Sequence, residues 1–306
     1  MPAGPPADPA AVTRRITALS VAVASVLIAV KAVAWLQSGS VTVLASLADS
    51  GLDLAASLFT FFAVRYAAVP PDAEHRFGHG KAEAFASLLQ AGLVFASAAL
   101  VTREAFDRLL APQPVRAEAV AIGVMVVSIT LTALLVWAQT WALKRVSSVA
   151  VSGDRMHYMA DLVSNAVGIV GLTLVWMTGW AALDAAAGLL IAAWLVRGAL
   201  GVLGESADQL MDRELSAAER AEVMAVAAAD PRVRGVHELR TRASGPTLHM
   251  QMHMDLDPAL TLEAAHEIVV AAEQRLQAAW PGADILIHPD PEGFAEEHRP
   301  LAEPVR

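Results

Sequence analysis

The chain of 306 residues is 56% hydrophobic and carries a net charge of −9, too apolar for an ordinary soluble domain. The charge is segregated: up to Glu205 there are 13 Lys plus Arg against 13 Asp plus Glu, and from Ser206 onward 9 against 18. A neutral apolar part joined to an acidic one argues for a membrane domain followed by a soluble domain, and it excludes nucleic acid as a partner, because phosphate binding needs a basic surface.

Taken in order, residues 1–13 are Pro- and Ala-rich and read as a disordered start. Residues 14–206 form the predicted transmembrane domain. A span needs about 20 mostly apolar residues, and six stretches qualify: 16–36, 41–69, 82–110, 117–143, 149–177 and 181–203. Arg14 and Arg15 precede the first stretch, which lacks a small-residue cleavage site and reads as a first span rather than a signal peptide. Arg65, Arg76, Lys81, Lys144 and Arg145 fall on the same side as Arg14 and Arg15, which the positive-inside bias makes cytoplasmic, although Arg103, Arg108 and Arg116 lie opposite. Six spans then place both termini inside. Trp35, Trp137, Trp141, Trp176 and Trp180 cluster near span ends, as interfacial anchors do.

After Glu205 the pattern becomes that of a small soluble fold, predicted over 207–291. Ser216 with Glu219 is a capping-box signature opening a helix to about Ala229. Residues 233–242 and 247–255 read as strands around a turn at Ser244-Gly-Pro, 262–279 as a second helix, and 284–288 as a third strand. In the second strand Leu248, Met250, Met252 and Met254 alternate with His249, Gln251, His253 and Asp255, giving one apolar face and one polar. The order αββαβ fits a compact α+β domain. The acidic tail 292–306 reads as disordered.

Three clusters carry chemistry, and with no cysteine any metal site must use His, carboxylate or water. Asp49 and Asp53 are four apart inside one apolar run, and His157 and Asp161 repeat that spacing in another. Residues i and i+4 share a helix face, so the two pairs can surround one point. Ionisable groups in mid-span are costly and mark functional sites by default. Two carboxylates on one face repel rather than pair, and Lys31 alone cannot neutralise three; Lys31 and Asp184 themselves read as structural. Three carboxylates and an imidazole suit Zn²⁺ better than Mg²⁺ or Mn²⁺. The second cluster is Asp72, His75 and His79 in the loop after the second span, with Glu74 as a fourth candidate; a solvated loop with scattered His is the plain alternative. The third gathers His237, His249, His253, His266, His288 and Asp290 in the soluble part, where one sheet surface could collect most of them. Lys81 and Asp212 each stand at a membrane boundary, where an ion pair between them would ordinarily be worth little.

LADSGLD at 47–53, FGHGKAE at 77–83, HYMAD at 157–161 and IHPD at 287–290 resemble the cation diffusion facilitator family, over about residues 16–291. The resemblance implies a homodimeric, proton-coupled exporter of divalent cations in the bacterial inner membrane, not an enzyme, with a six-helix transmembrane domain and a cytosolic ferredoxin-like domain. It implies a transport site at Asp49, Asp53, His157 and Asp161, and a loop site at Asp72, His75 and His79. It also implies a cytosolic binuclear site at His237, His253, His288 and Asp290, with His266 reaching in from the partner subunit. Lys81 and Asp212 match a charge interlock that holds the dimer; the family pattern has no counterpart of His249. The expected cargo is Zn²⁺, with Fe²⁺ and Cd²⁺ as alternatives, moved by alternating access with protons competing for the ligands. Two other readings remain open: a passive metal channel, whose flux would ignore a proton gradient, and an intramembrane metallohydrolase. Four ligands and the absence of a His-Glu-x-x-His motif oppose the second.

Overall fold

The computed structural model describes residues 9–39, 41–110, 119–178 and 182–293. The chain divides into two compact units, Met1–Ala207 and Asp208–Arg306. The first is helical: α1 Pro9–Ser38, α2 Val41–Ala67, α3 Ala82–Leu110, α4 Ala119–Leu143, α5 Val149–Thr178 and α6 Ala182–Leu210, the last crossing into the second unit. Helices of 25–30 residues reach roughly 37–45 Å at 1.5 Å per residue, enough to cross a bilayer with tilt. α1 begins at Pro9, so residues 9–13, expected above to be disordered, belong to a helix; proline suits that first turn because its missing N–H is unneeded there. The predicted disordered tail from 294 on, and Trp180, lie outside the described residues.

Among the described residues, five helices are both long and apolar enough to span a membrane; α5, at 30 residues, is as long as any of them and carries Asp154, Arg155, His157 and Asp161 in its first half. Charged groups there must be shielded by neighbouring helices. Ala91, Val94 and Ala98 of α3 and Ile191, Leu195, Ala199 and Val202 of α6 enclose Met156 and Ala160 of α5 in one core cluster. The α3–α5 crossing is tight: a Cβ placed on Gly153 would stand 3.0 Å from the Ser87 Cα. Small residues of this kind let membrane helices approach closely.

The second unit follows the predicted order: α7 Ala217–Ala227, β1 Gly235–Ser244, β2 Thr247–Leu256, α8 Leu262–Ala279 and β3 Asp284–Pro291. Ser216 accepts from the Glu219 N–H while the Glu219 carboxylate accepts from the Ser216 N–H, so the capping box is formed. β1 pairs antiparallel with β2, and β2 pairs parallel with β3 through the α8 crossover. Met250, Met252, Met254 and Leu256 point from β2 into a core built with Val223, Ile268, Ala272 and Leu276. β3 runs three residues beyond its predicted end, because Pro289, Asp290 and Pro291 continue in register with Met254, Asp255 and Leu256. Proline is tolerated there because β3 is an edge strand. β1 begins two residues later than predicted and carries a bulge between His237 and Arg240, with Glu238 at φ 49°.

Candidate metal centres

The intramembrane site is made where α2 meets α5. One face of α2 presents Asp49 and Asp53, and one face of α5 presents His157 and Asp161. His157 Nε2 lies 3.0 Å from Asp53 Oδ1 and 3.9 Å from Asp161 Oδ2. One ligand atom from each of the three falls within 4.8 Å of the others. Asp53 and His157 are only 8% and 5% exposed. A ring nitrogen set between two carboxylate oxygens must carry a hydrogen or hold a metal ion. Asp49 is one turn earlier and outside this trio, lining a cavity of about 140 Å³ with Lys31, Ser46 and Asn165. Lys31, read above as structural, is buried, and its ammonium donates to Ser50 Oγ at 2.6 Å and to the Ser46 carbonyl at 3.1 Å.

The loop cluster is organised by Asp72. Its Oδ1 accepts from the backbone N–H groups of Glu74 at 2.9 Å and His75 at 2.7 Å, a turn that Asx residues form readily. His79 Nε2 stands 3.2 Å from Asp72 Oδ2, and its Nδ1 lies 3.3 Å from the Val69 carbonyl. A proton donated from Nδ1 to that carbonyl leaves the Nε2 lone pair directed at the carboxylate, the tautomer a metal ligand needs. Gly78, at φ +78°, makes the turn that brings His79 back. Asp72, His75 and His79 converge within 4.8 Å; Glu74 contributes its backbone rather than its carboxylate to the cluster.

The His75 N–H holds the Asp72 carboxyl below the usual carboxylate range, helped by the Glu74 N–H and the two imidazoles. A carboxyl with a lowered folded value stabilises the turn above the unfolded value of about 3.9, and this is lost as pH falls through the folded value. Protection of the Glu74 and His75 amides from hydrogen exchange should therefore be the same at pH 7 and pH 5 and vanish only in stronger acid. Protection that fades between pH 6 and 5 would contradict the assignment.

In the second unit strand register makes the cluster. His237 is opposite His253, and His253 is opposite His288, so three imidazoles cross the sheet in one row. Their rings stand 5.4 Å and 4.9 Å apart. Two overlapping ligand trios result, His253–His288–Asp290 and His237–Asp255–Asp290, with Asp290 common to both. Asp290 Oδ2 is 2.8 Å from His253 Nδ1, and Oδ1 is 3.2 Å from His288 Nε2. Nitrogen and oxygen donors in this ratio suit Zn²⁺. Asp255, absent from the sequence reading as a ligand, lies 3.3 Å from His237 Nε2. It fits because residue 235 is glycine: a Cβ there would stand 2.5 Å from Asp255 Oδ2. His249, on the same strand but four residues earlier, pairs instead with Asp284 at 2.9 Å. His266 of α8 belongs to none of the ligand groups formed among the described residues of one chain. Lys81 and Asp212 belong to different units; Asp212 lies 3.5 Å from Arg242.

A bundle of membrane-length helices with a buried carboxylate–imidazole site, joined to an α+β domain with a His-lined sheet, defines a multi-pass membrane protein that handles metal ions as a transporter. Residues 17–211 match the cation efflux transmembrane domain and residues 215–292 the cation efflux protein cytoplasmic domain. The chain belongs to the cation efflux family, the one its motifs resemble. The cation-efflux pump FieF of Serratia proteamaculans is 41% identical over 278 residues, 91% of this chain and 92% of its own. FieF of Cronobacter sakazakii is 41% identical over 269 residues, 88% and 89% of the two chains. A solved zinc form of CzrB is 29% identical over 28% of this chain and 99% of its own, with a TM-score of 0.26.

Proposed function

We propose that this protein is a homodimeric antiporter of the inner membrane that exports divalent cations, Zn²⁺ foremost and Fe²⁺ or Cd²⁺ as alternatives, in exchange for protons. The observation that carries the reading is the buried meeting of Asp53, His157 and Asp161 on two helices of membrane length. In this reading Asp49 completes the shell from its place beside Lys31 when α2 and α5 shift relative to each other. The four groups open alternately to the two sides, the cytosol being the side of both termini. Ligands must shed protons to bind a metal and regain them to release it, so the Nε2 of His157, between two carboxylates, is the atom for which proton and metal compete. Asp72, His75 and His79 take up the ion where α2 ends.

The C-terminal unit senses metal and clamps the dimer, using His237, His253, His288 and Asp290, with His266 supplied across the interface and Lys81 and Asp212 as an interlock. Two acidic domains repel until metal neutralises them. Zinc flux into proteoliposomes under an imposed pH gradient is the test. Asp49→Ala should reduce flux at least about tenfold, as loss of an interaction worth 1.4 kcal/mol or more requires; unchanged flux removes Asp49 from the site. Flux of the unaltered protein that ignores the gradient favours a channel.

A further inference from the structure

One carboxylate in the bundle is used by none of the three ligand clusters. Asp154 is on α5, one turn before His157, and is 1% exposed. Its Oδ2 accepts from Ser20 of α1 at 2.6 Å and from Gln139 of α4 at 2.8 Å, and its Oδ1 accepts from Gln90 of α3 at 3.1 Å. The Gln90 amide nitrogen also donates to Thr60 Oγ1 of α2 at 3.0 Å and, at 3.4 Å, to the Ala56 carbonyl. Asp154 thus ties α5 directly to three other helices, and to α2 through Gln90.

The arrangement has two solutions. An ionised carboxylate needs donors and here has three. The cost is that the amide oxygens of Gln90 and Gln139 are buried with no hydrogen-bond partner among the described residues, a penalty of about 1–3 kcal/mol each. A carboxylic acid needs one acceptor, and turning the Gln90 amide over supplies it, at the loss of the long contact to the Ala56 carbonyl. Oδ1–H then donates to Gln90 Oε1, and the Thr60 hydroxyl, able to give as well as accept, donates to the same oxygen. Ser20 and Gln139 stay in place on Oδ2. Glu83, Ser87 and Gln90 are spaced i, i+4 and i+7 on α3, all buried, and the Ser87 hydroxyl is likewise unpartnered among the described residues. Polar atoms therefore line α3 from Gln90 to its first turn, where Ser148 donates to Glu83 at 2.6 Å.

We propose that Asp154 is a proton-binding site outside the metal's ligand shell, switched by rotation of the Gln90 amide and served by the Ser87–Glu83 face of α3. It rests on the proton-antiport reading and adds to it a proton held on an atom for which metal does not compete. The groups facing it are few. α1 and α4 present Ser20 and Gln139, and α2 presents Thr60, with Asp53 farther along. α3 presents Gln90, with Glu83 two turns away, and α5 carries Arg155, His157, Tyr158 and Asp161. Of these, His157 and Tyr158 are coupled to it electrostatically. Glu205 of α6 accepts from Ser152 instead.

The test is D154N, which resembles the protonated acid: its amide can donate to the turned Gln90 just as the acid would. In proteoliposomes with a pH-sensitive dye, D154N should keep zinc affinity within about threefold of the unaltered protein, release about one proton fewer per zinc, and lose most of the acceleration that a pH gradient gives. The same proton count and the same response to the gradient would overturn the proposal. Should D154N fail to fold, Gln90→Met keeps the Ser20 and Gln139 donors while removing the acceptor. It should lower the proton count likewise, and an unchanged count overturns the proposal. If the unaltered protein itself shows no gradient dependence, the antiport reading fails instead.

Discussion

Asp53→Ala is expected to bring zinc flux down to the liposome background. Asp53 supplies the oxygen closest to His157 Nε2, at 3.0 Å. Without it the trio on α2 and α5 has only the two α5 ligands, and nothing from α2 bridges to them except the more distant Asp49. Removal of supporting groups alone lowers metal affinity 10–100-fold, so loss of a ligand should cost at least about 100-fold. Fold stability should respond separately: removing Asp53 ends its repulsion of Asp49 but leaves the buried His157 Nε2 without its nearest oxygen, so the metal-free bundle should be weakened. A ligand present at 100 times its Kd stabilises a protein by about 2.7 kcal/mol. Thermal unfolding in detergent should therefore show zinc raising the melting temperature of the unaltered protein more than that of Asp53→Ala, each measured from its own metal-free value. An Asp53→Ala protein that transports normally would exclude Asp53 as a transport ligand.

The candidate ligands on α2 and α5 were legible because their signal is local. A charged residue in an apolar run announces itself, and the four-residue spacing fixes a common face without knowledge of the partner helix. The His row in the C-terminal unit was legible only in part. Alternation along β2 separates Met250, Met252 and Met254 from His253, but that His237 and His288 fall opposite His253 depends on two strand registers. The bulge at Glu238 has no sequence signal, since a non-glycine residue at φ 49° is uncommon. Asp255 as a neighbour of His237 depends on the missing side chain at Gly235, a pairing visible only once the strands are aligned.

Asp154 was illegible for a stronger reason. Its spacing of three from His157 marks a shared face and nothing more. What gives it meaning is that Ser20, Gln90 and Gln139 arrive from three other helices at hydrogen-bond distance. Each of those residues, taken alone, is an unremarked polar side chain in an apolar stretch. The span of α5 was legible, but the cover that α3 and α6 give to Met156 and Ala160 beside it was not.

Asp290→Ala should separate a shared metal site from independent ones in the C-terminal unit. Asp290 is the only residue common to both ligand trios among the described residues, with Oδ2 facing His253 and His237 and Oδ1 facing His288. If the two trios hold two ions bridged by this carboxylate, removing it lowers the zinc content of the full-length protein by about two per chain, whereas His288→Ala, which belongs to one trio, lowers it by about one. A loss of one or none from Asp290→Ala would show that each trio is sufficient without a bridge. Dimer stability gives a second readout whose sign tells ligation from charge. From Ser206 onward the chain carries 18 acidic against 9 basic residues, so deleting one carboxylate lessens repulsion between two copies of this unit. Without metal, the Asp290→Ala dimer should be as stable as the unaltered one or slightly more so. With zinc it should gain little, while the unaltered dimer, joined through neutralising ions, should resist dissociation at concentrations at least about tenfold lower, a difference of 1.4 kcal/mol or more. Equal zinc-induced stabilisation of the two dimers would mean that the His row binds metal without holding the subunits together.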